Sequence, residues 1–217
     1  MAWIADIRLL TWLLVLAAYL LGSVSGARLL GHARGINTPT PGSVDGEGIQ
    51  PAATRGWRFV LGVGLDVAKG ALAAWLALRY APVGSPLSVT AHGYLAAFAA
   101  LAGHVWPVWY RLSGGKGAST LLGGLLVMWP LAVAVLVLGW MAVAFASGYL
   151  GLATVVAALL LPLLAWTTGA EVPRLVFAFA ACALMVWAHR GHLAKLRDGT
   201  ESRFARARLL HRWRRGP

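Results

Sequence analysis

The segment Ser113–Thr120, with the sequence SGGKGAST, combines residue types that bind phosphate. Three glycines, Gly114, Gly115 and Gly117, surround one lysine, Lys116. Because glycine has no Cβ, the backbone N–H groups of such a turn can approach an anion closely, and the lysine adds a positive charge. The segment therefore predicts a site for a phosphorylated substrate. A glycine-rich turn with one lysine can also cap and anchor a membrane helix, and that alternative stays open at this point.

The segment differs from the phosphate loop of soluble nucleotide-binding proteins. Tyr110 stands where the GxxxxGK[ST] pattern has its first glycine, and Gly117 stands where a serine or threonine would hold Mg²⁺. No strand-like run precedes the segment. A nucleotide site is therefore not predicted.

The composition is that of an all-α integral membrane protein. The chain has 217 residues, of which 59% are hydrophobic and 12% are charged, and its mean hydropathy is +0.70. Soluble domains contain about 25% charged residues. Long uncharged runs at 9–27, 80–110 and 117–170 suit helices that need about 20 apolar residues to cross a bilayer. The strict alternation of a β-barrel is absent.

The uncharged runs predict seven transmembrane helices in one bundle. The stretch 117–170 has room for two ordinary spans or three short ones, and Pro130 and Gly148 offer the breaks for three. Basic residues near span ends favour the cytoplasmic side, and their distribution favours seven spans over six. The predicted spans are 7–30, 57–79, 88–110, 117–128, 130–147, 149–167 and 172–189.

The net charge of +12 is concentrated near the C-terminus. Residues 190–217 hold nine of the 19 Lys and Arg residues and two of the seven acids. We interpret 1–189 as the membrane domain and 190–217 as a basic cytoplasmic tail beside anionic lipid. A membrane-side tail explains this charge without nucleic-acid binding. With the N-terminus outside, the loops 31–56 and 111–116 share the cytoplasmic side with the tail.

Polar residues of these cytoplasmic segments could converge on one site. Arginine and lysine supply charge for phosphate, serine supplies a hydroxyl donor, and histidine can donate or take a proton. Asp66 and Lys69, three residues apart in the second span, would form an ion pair with either a structural or a substrate role. His189 and His192 lack the surrounding ligands of a metal site, so no metal or cofactor is predicted. The candidate site residues are Ser43, Arg55, His104, Gly114, Gly115, Lys116, Gly117, His189, Arg190 and His192.

Several motifs in the same order resemble the bacterial membrane glycerol-3-phosphate acyltransferases that use acyl phosphate, the PlsY family. The most specific is GHVWPVWYRLSGGKGAST at 103–120, in which GHxxP is followed by GGKG. The others are LGSVSGARLLG at 21–31, PGS at 41–43 with TRG at 54–56, LDVAKGA at 65–71, and AHRGHLAKLRDGTESRF at 188–204.

The resemblance implies an activity and a set of catalytic residues. Ser43, Arg55, Lys116 and His189 match the family's active-site residues by motif position. The implied reaction moves a fatty acyl group from acyl phosphate to the 1-hydroxyl of glycerol 3-phosphate, giving lysophosphatidic acid. Its partners are these two substrates and membrane lipids, with no cofactor and no nucleic acid, at the cytoplasmic face of the bacterial inner membrane.

The chain also departs from the family pattern. Asp45 and His192 each replace an asparagine, and two residues are inserted between Ser43 and Arg55. Two alternatives stay open on the sequence alone. One is a transporter of an anionic phosphorylated solute, and the other is a non-catalytic relative that binds lipid.

Overall fold

The computed structural model describes residues 2–26 and 57–203. Within these residues the chain contains helices and no strands, which confirms the predicted all-α class. The helices in chain order are α1 (Ala2–Ser23), α2 (Trp57–Tyr80), α3 (Val89–Val105), α4 (Ala118–Met128), α5 (Pro130–Ser147), α6 (Leu150–Thr167), α7 (Val172–Ala188) and α8 (Arg190–Arg197).

Proline and glycine set the helix boundaries between residues 105 and 150. Helix α3 ends at Val105 instead of continuing to residue 110, because the residue before Pro107 is biased away from helical backbone. Pro130 begins α5, where its missing N–H costs nothing, and Gly148 ends α5 with a left-handed φ of 77°. The stretch 117–170 therefore contains three helices.

Fewer than seven of the described helices are long and apolar enough to cross a bilayer by themselves. Within the described residues, Val60–Tyr80 of α2, α5 and α6 are long and apolar enough to cross a bilayer. A fourth candidate joins α7 to α8 across a bend of 54°. Apolar α4 is only 11 residues long, and the apolar part of α1, Ile7–Ser23, is also short. The seven-span count and the orientation of the termini stay predictions.

Helices α1 to α4 pack with their backbones almost in contact. At four glycines on these helices, an added Cβ would collide with a backbone oxygen of the neighbouring helix. Small residues of this kind let membrane helices approach closely. Helix α1 meets α3 in this way, and α2 meets α4. The pairs are Gly22 with Ala100, Gly103 with Tyr19, Gly70 with Thr120, and Gly123 with Val67.

A second layer of larger side chains joins this group to the later helices. Leu101, Leu125, Leu161 and Met185 are fully buried and belong to one apolar cluster. They come from α3, α4, α6 and α7, respectively. The cluster holds the α3–α4 connection near the residues that follow α7, and those two segments carry most of the predicted site.

Candidate active site

The glycine loop, defined here as residues 113–117, folds back onto the end of α3. Arg111 and Leu112 adopt left-handed backbone conformations before the loop, with φ values of 50° and 60°. Gly114 N–H then donates to Val105 O over 3.2 Å, and Gly115 N–H donates to His104 O over 3.1 Å. These bonds satisfy carbonyls that the end of α3 would otherwise leave without a partner.

These bonds correct one expectation about the phosphate cradle. Gly114 and Gly115 were expected to turn their N–H groups towards an anion, but both groups already donate to carbonyls of α3. Positions 114 and 115 require glycine for another reason. An added Cβ would meet the His104 carbonyl and Pro107 at Gly114, and the His104 ring at Gly115.

The part of this segment that can bind an anion is the start of α4, which directly follows the glycine loop. Gly117 precedes α4 with a φ of 84°, a left-handed conformation that suits glycine. The first N–H groups of an α-helix have no partner within the helix, and the helix dipole favours an anion there. Lys116 therefore lies directly before a helix end that can bind phosphate.

Lys116 belongs to a hydrogen-bonded chain with His192 and Glu201. His192 Nδ1 lies 2.6 Å from Glu201 Oε1. Because a carboxylate only accepts hydrogen bonds, Nδ1 carries a proton, and Nε2 of the neutral ring accepts from Lys116 Nζ. The imidazole rests on Gly151 at the start of α6, where an added Cβ would lie 2.7 Å from His192 Cγ.

The environment of Lys116 affects its charge. Burial lowers the pKa of the Lys116 ammonium, the Glu201 carboxylate opposes this shift, and the Lys195 ammonium adds to it. Sequence reasoning predicted Lys116 and His192 but gave Glu201 no role. The only sequence signal for Glu201 was its place in the C-terminal motif.

His189 lies between α7 and α8 and is 3% exposed. Its Nδ1 lies 2.8 Å from Met185 O. Since a carbonyl only accepts, Nδ1 carries the proton, and Nε2 of the neutral ring is the acceptor. The His189 and His192 ring centroids are 6.0 Å apart. The structure therefore brings His189, His192 and Lys116 into one cluster.

Arg190, the adjacent candidate, has different neighbours. Its guanidinium lies 3.9 Å from the centroid of the Trp187 ring and donates to Trp187 O over 2.9 Å. The side chain is exposed. The prediction that Arg190 binds substrate therefore gains no support from its contacts, which stabilise the end of α7.

His104 is held by the predicted ion pair of α2. Lys69 Nζ lies 2.9 Å from Asp66 Oδ1, which confirms that this pair forms. The same ammonium lies 2.8 Å from His104 Nδ1, and Thr120 Oγ1 lies 3.1 Å from that nitrogen. His104 was predicted to bind substrate, whereas its described polar contacts are with these protein groups.

Two predicted catalytic residues, Ser43 and Arg55, lie outside the described residues, as does Asp45. Their roles stay predictions. Among the described residues, no group of three or more His, Cys, Asp and Glu side chains could hold a metal ion.

Comparisons with known proteins agree with the motifs. The family model described as glycerol-3-phosphate acyltransferase matches residues 12–199. The glycerol-3-phosphate acyltransferase of Methylobacillus flagellatus is 36% identical over 195 residues, covering 88% of this chain and 96% of that protein. The enzyme of the same name from Halorhodospira halophila is 35% identical over 197 residues, covering 88% and 95%.

Two crystal structures of PlsY, an integral membrane glycerol 3-phosphate acyltransferase, share the fold. The lysophosphatidic acid form has a TM-score of 0.76 at 28% identity and covers 93% of this chain and 98% of that chain. The glycerol 3-phosphate form has a TM-score of 0.75 at 27% identity and covers 90% and 96%. The chain therefore belongs to the glycerol-3-phosphate acyltransferase family and is a PlsY-type membrane enzyme.

Proposed function

We propose that this protein transfers a fatty acyl group from acyl phosphate to the 1-hydroxyl of glycerol 3-phosphate. The products are lysophosphatidic acid and inorganic phosphate. The observation that supports this most is Lys116, which lies at the N-terminal end of α4 and is hydrogen-bonded to His192. In a chain of this family, such a cation beside the N-terminal end of a helix suits a phosphate.

The reaction needs little covalent chemistry from the protein. An acyl phosphate is an activated mixed anhydride. The hydroxyl oxygen of glycerol 3-phosphate attacks the acyl carbon, the bond from that carbon to the phosphate oxygen breaks, and phosphate leaves with the electron pair. Catalysis then consists mainly of positioning two anions and stabilising the charge that develops between them.

The described residues suggest a division of roles. Lys116 and the first N–H groups of α4 would bind phosphate, together with Ser43 and Arg55. His189 would accept the hydroxyl proton on Nε2, because its Nδ1 is committed to Met185 O. A phosphate oxygen of the substrate is the alternative base. The apolar helices would shelter the acyl chain.

Donor choice is the first test of this proposal. We expect purified protein to acylate glycerol 3-phosphate with palmitoyl phosphate and to give no product with palmitoyl-CoA, measured as radiolabelled lysophosphatidic acid. A chelator should leave the rate unchanged. Faster turnover with palmitoyl-CoA, or a rate lost in chelator and restored by Mg²⁺, would contradict the proposed chemistry.

The pH dependence tests the charge of Lys116. Only the ammonium form attracts phosphate, and burial lowers its pKa, so kcat/KM should decline at lower pH than for an exposed lysine of pKa about 10.4. Glu201 favours the ammonium and Lys195 disfavours it. Glu201→Gln should therefore move the alkaline limb to lower pH, and Lys195→Gln should move it to higher pH. Shifts of the same sign in both variants would refute Lys116 as the group that titrates.

The proposal includes a cytoplasmic site in the bacterial inner membrane, with the N-terminus outside and the C-terminus inside. The excess of Lys and Arg in the loops and tail supports this orientation. Cysteines introduced one at a time at Gly46 and Ser113, in a chain whose native Cys182 is replaced by alanine, should react with an impermeant maleimide only in inverted vesicles. Labelling of either position in intact spheroplasts would rule out a shared cytoplasmic site.

A further inference from the structure

A buried polar network lies between the glycine loop and α2, and the proposed chemistry does not use it. It consists of Asp66, Lys69, His104 and Thr120, and the first two are 8% and 7% exposed. A buried ionic group is costly unless it is fully paired. The network therefore has to be satisfied by its neighbours, and its bonds reveal what it holds in place.

Lys69 uses all three of its N–H donors. Its Nζ lies 2.6 Å from Val24 O, 2.8 Å from His104 Nδ1 and 2.9 Å from Asp66 Oδ1. The distance from His104 Nδ1 to Asp66 Oδ1 is longer, at 3.6 Å. Lys69 is therefore the donor to the imidazole, and Nδ1 is an acceptor. The ring proton is on Nε2.

The orientation of His104 then determines where the glycine loop can lie. With Nδ1 held by Lys69 and Thr120, the Nε2 side of the ring faces Gly115, so closely that an added Cβ there would collide with it. The backbone oxygen of His104 also accepts the Gly115 N–H. Gly115 is thus fixed by both the ring and the backbone of one residue, and Lys116 follows it directly.

The same network contacts the segment that leads into loop 31–56. Lys69 binds the carbonyl of Val24, and Asp66 Oδ1 accepts the N–H of Gly26 over 3.3 Å. Gly26 is the last described residue before that loop, which carries Ser43 and Arg55. The Asp66–Lys69 pair is therefore hydrogen-bonded directly to Val24 and Gly26, and it reaches the glycine loop through His104.

We propose that Asp66, Lys69 and His104 are positioning residues that fix the glycine loop relative to Val24 and Gly26, which follow α1. In this role they act through the position of the loop and not by binding substrate themselves. Their effect on the reaction, which rests on the proposed function, is to hold Lys116 where it meets phosphate. Displacing a positioned group by about 1 Å can cost about 100-fold in rate.

The test combines kinetics with local hydrogen exchange in the full-length protein in detergent. The double variant Asp66→Asn with Lys69→Met removes both charges and leaves no unpaired ion. His104→Asn is the second variant, because it keeps an acceptor near Lys69 and removes the ring from Gly115. Each variant should lower kcat/KM by about 100-fold and speed amide exchange in a peptide covering 113–117.

His92→Gln is the matched control. His92 is also buried on α3, and it also bonds α1, through Thr11 Oγ1 at 3.1 Å. It lies at the opposite end of α3 from His104. This variant should keep kcat/KM within about twofold and leave exchange at 113–117 unchanged, because it breaks a comparable bond away from the loop.

The kinetic and exchange results test the positioning role and the proposed function separately. Faster loop exchange with lost activity in the network variants alone supports the positioning role. Activity within about twofold of wild type, or unchanged exchange at 113–117, overturns it. If the wild-type protein does not acylate glycerol 3-phosphate, the proposed function fails, while the exchange measurement still decides whether the network fixes the loop.

Discussion

Replacing Lys116 by alanine is expected to lower the rate of glycerol 3-phosphate acylation by about tenfold to more than 100-fold. A hydrogen bond from a charged donor contributes roughly 1.5–3 kcal/mol, and each 1.4 kcal/mol in the transition state changes the rate about tenfold. The Lys116 side chain is partly buried and bonded to His192. In the alanine variant, a dissolved cation would therefore not take over the position of its ammonium group. Initial rates with purified protein would measure the loss.

Arg214→Ala is the control for general loss of positive charge. Arg214 belongs to the predicted cytoplasmic tail, outside the described residues, and we expect its charge to be solvated and screened by salt. We expect this variant to keep nearly the full rate. If Lys116→Ala and Arg214→Ala turn over equally well, the glycine loop is only a helix connection and the enzyme proposal loses its main physical support.

A single added methyl group at Gly115 is expected to have an effect as large as the loss of Lys116. The Cβ of Gly115→Ala would overlap the His104 ring. That ring has little freedom to move aside, because Lys69 and Thr120 both bond its Nδ1. The loop must shift instead, and a shift of about 1 Å at Lys116 would cost about 100-fold in kcat/KM.

Gly191→Ala provides the matched control for this substitution. Gly191 also lies beside the site, two residues after His189, but among the described residues a Cβ there would meet no heavy atom within 4 Å apart from its chain neighbours and the adjacent backbone of its own helix. Gly191 lies in the first turn of α8, where alanine fits the helical backbone, so the change should not destabilise the protein. Equal activity of Gly115→Ala and Gly191→Ala, with equal melting temperatures, would contradict the close packing of His104 on the loop.

Most of the fold could be predicted from the sequence because hydropathy and helix-breaking residues act locally. Pro130 and Gly148 divided 117–170 into three helices for reasons visible in the residues themselves. The end of α3 at Val105 was missed by five residues, although Pro107 was present in the sequence. The number of spans could not be decided in the same way, since α4 is too short for a simple length rule.

The candidate site was predictable in its residues but not in its bonds. Residue type and motif order identified Lys116, His189 and His192. Which group each one contacts depends on distances between helices that are far apart in the sequence. Packing alone explains why Glu201 is the partner of His192. It also explains why the Gly115 N–H donates to His104 O.

The backbone contacts among α1 to α4 also bear on how this enzyme could change its substrate range. The space between two of these helices is too narrow for a fatty acyl chain wherever their backbones meet, at Gly22, Gly70, Gly103 and Gly123. Helices α5 to α7 also bury larger side chains, among them Leu136, Leu161 and Phe177, which substitutions can shorten or enlarge. We therefore expect acyl-chain length preference to change through substitutions at such side chains, while the close backbone contacts of α1 to α4 stay unaltered.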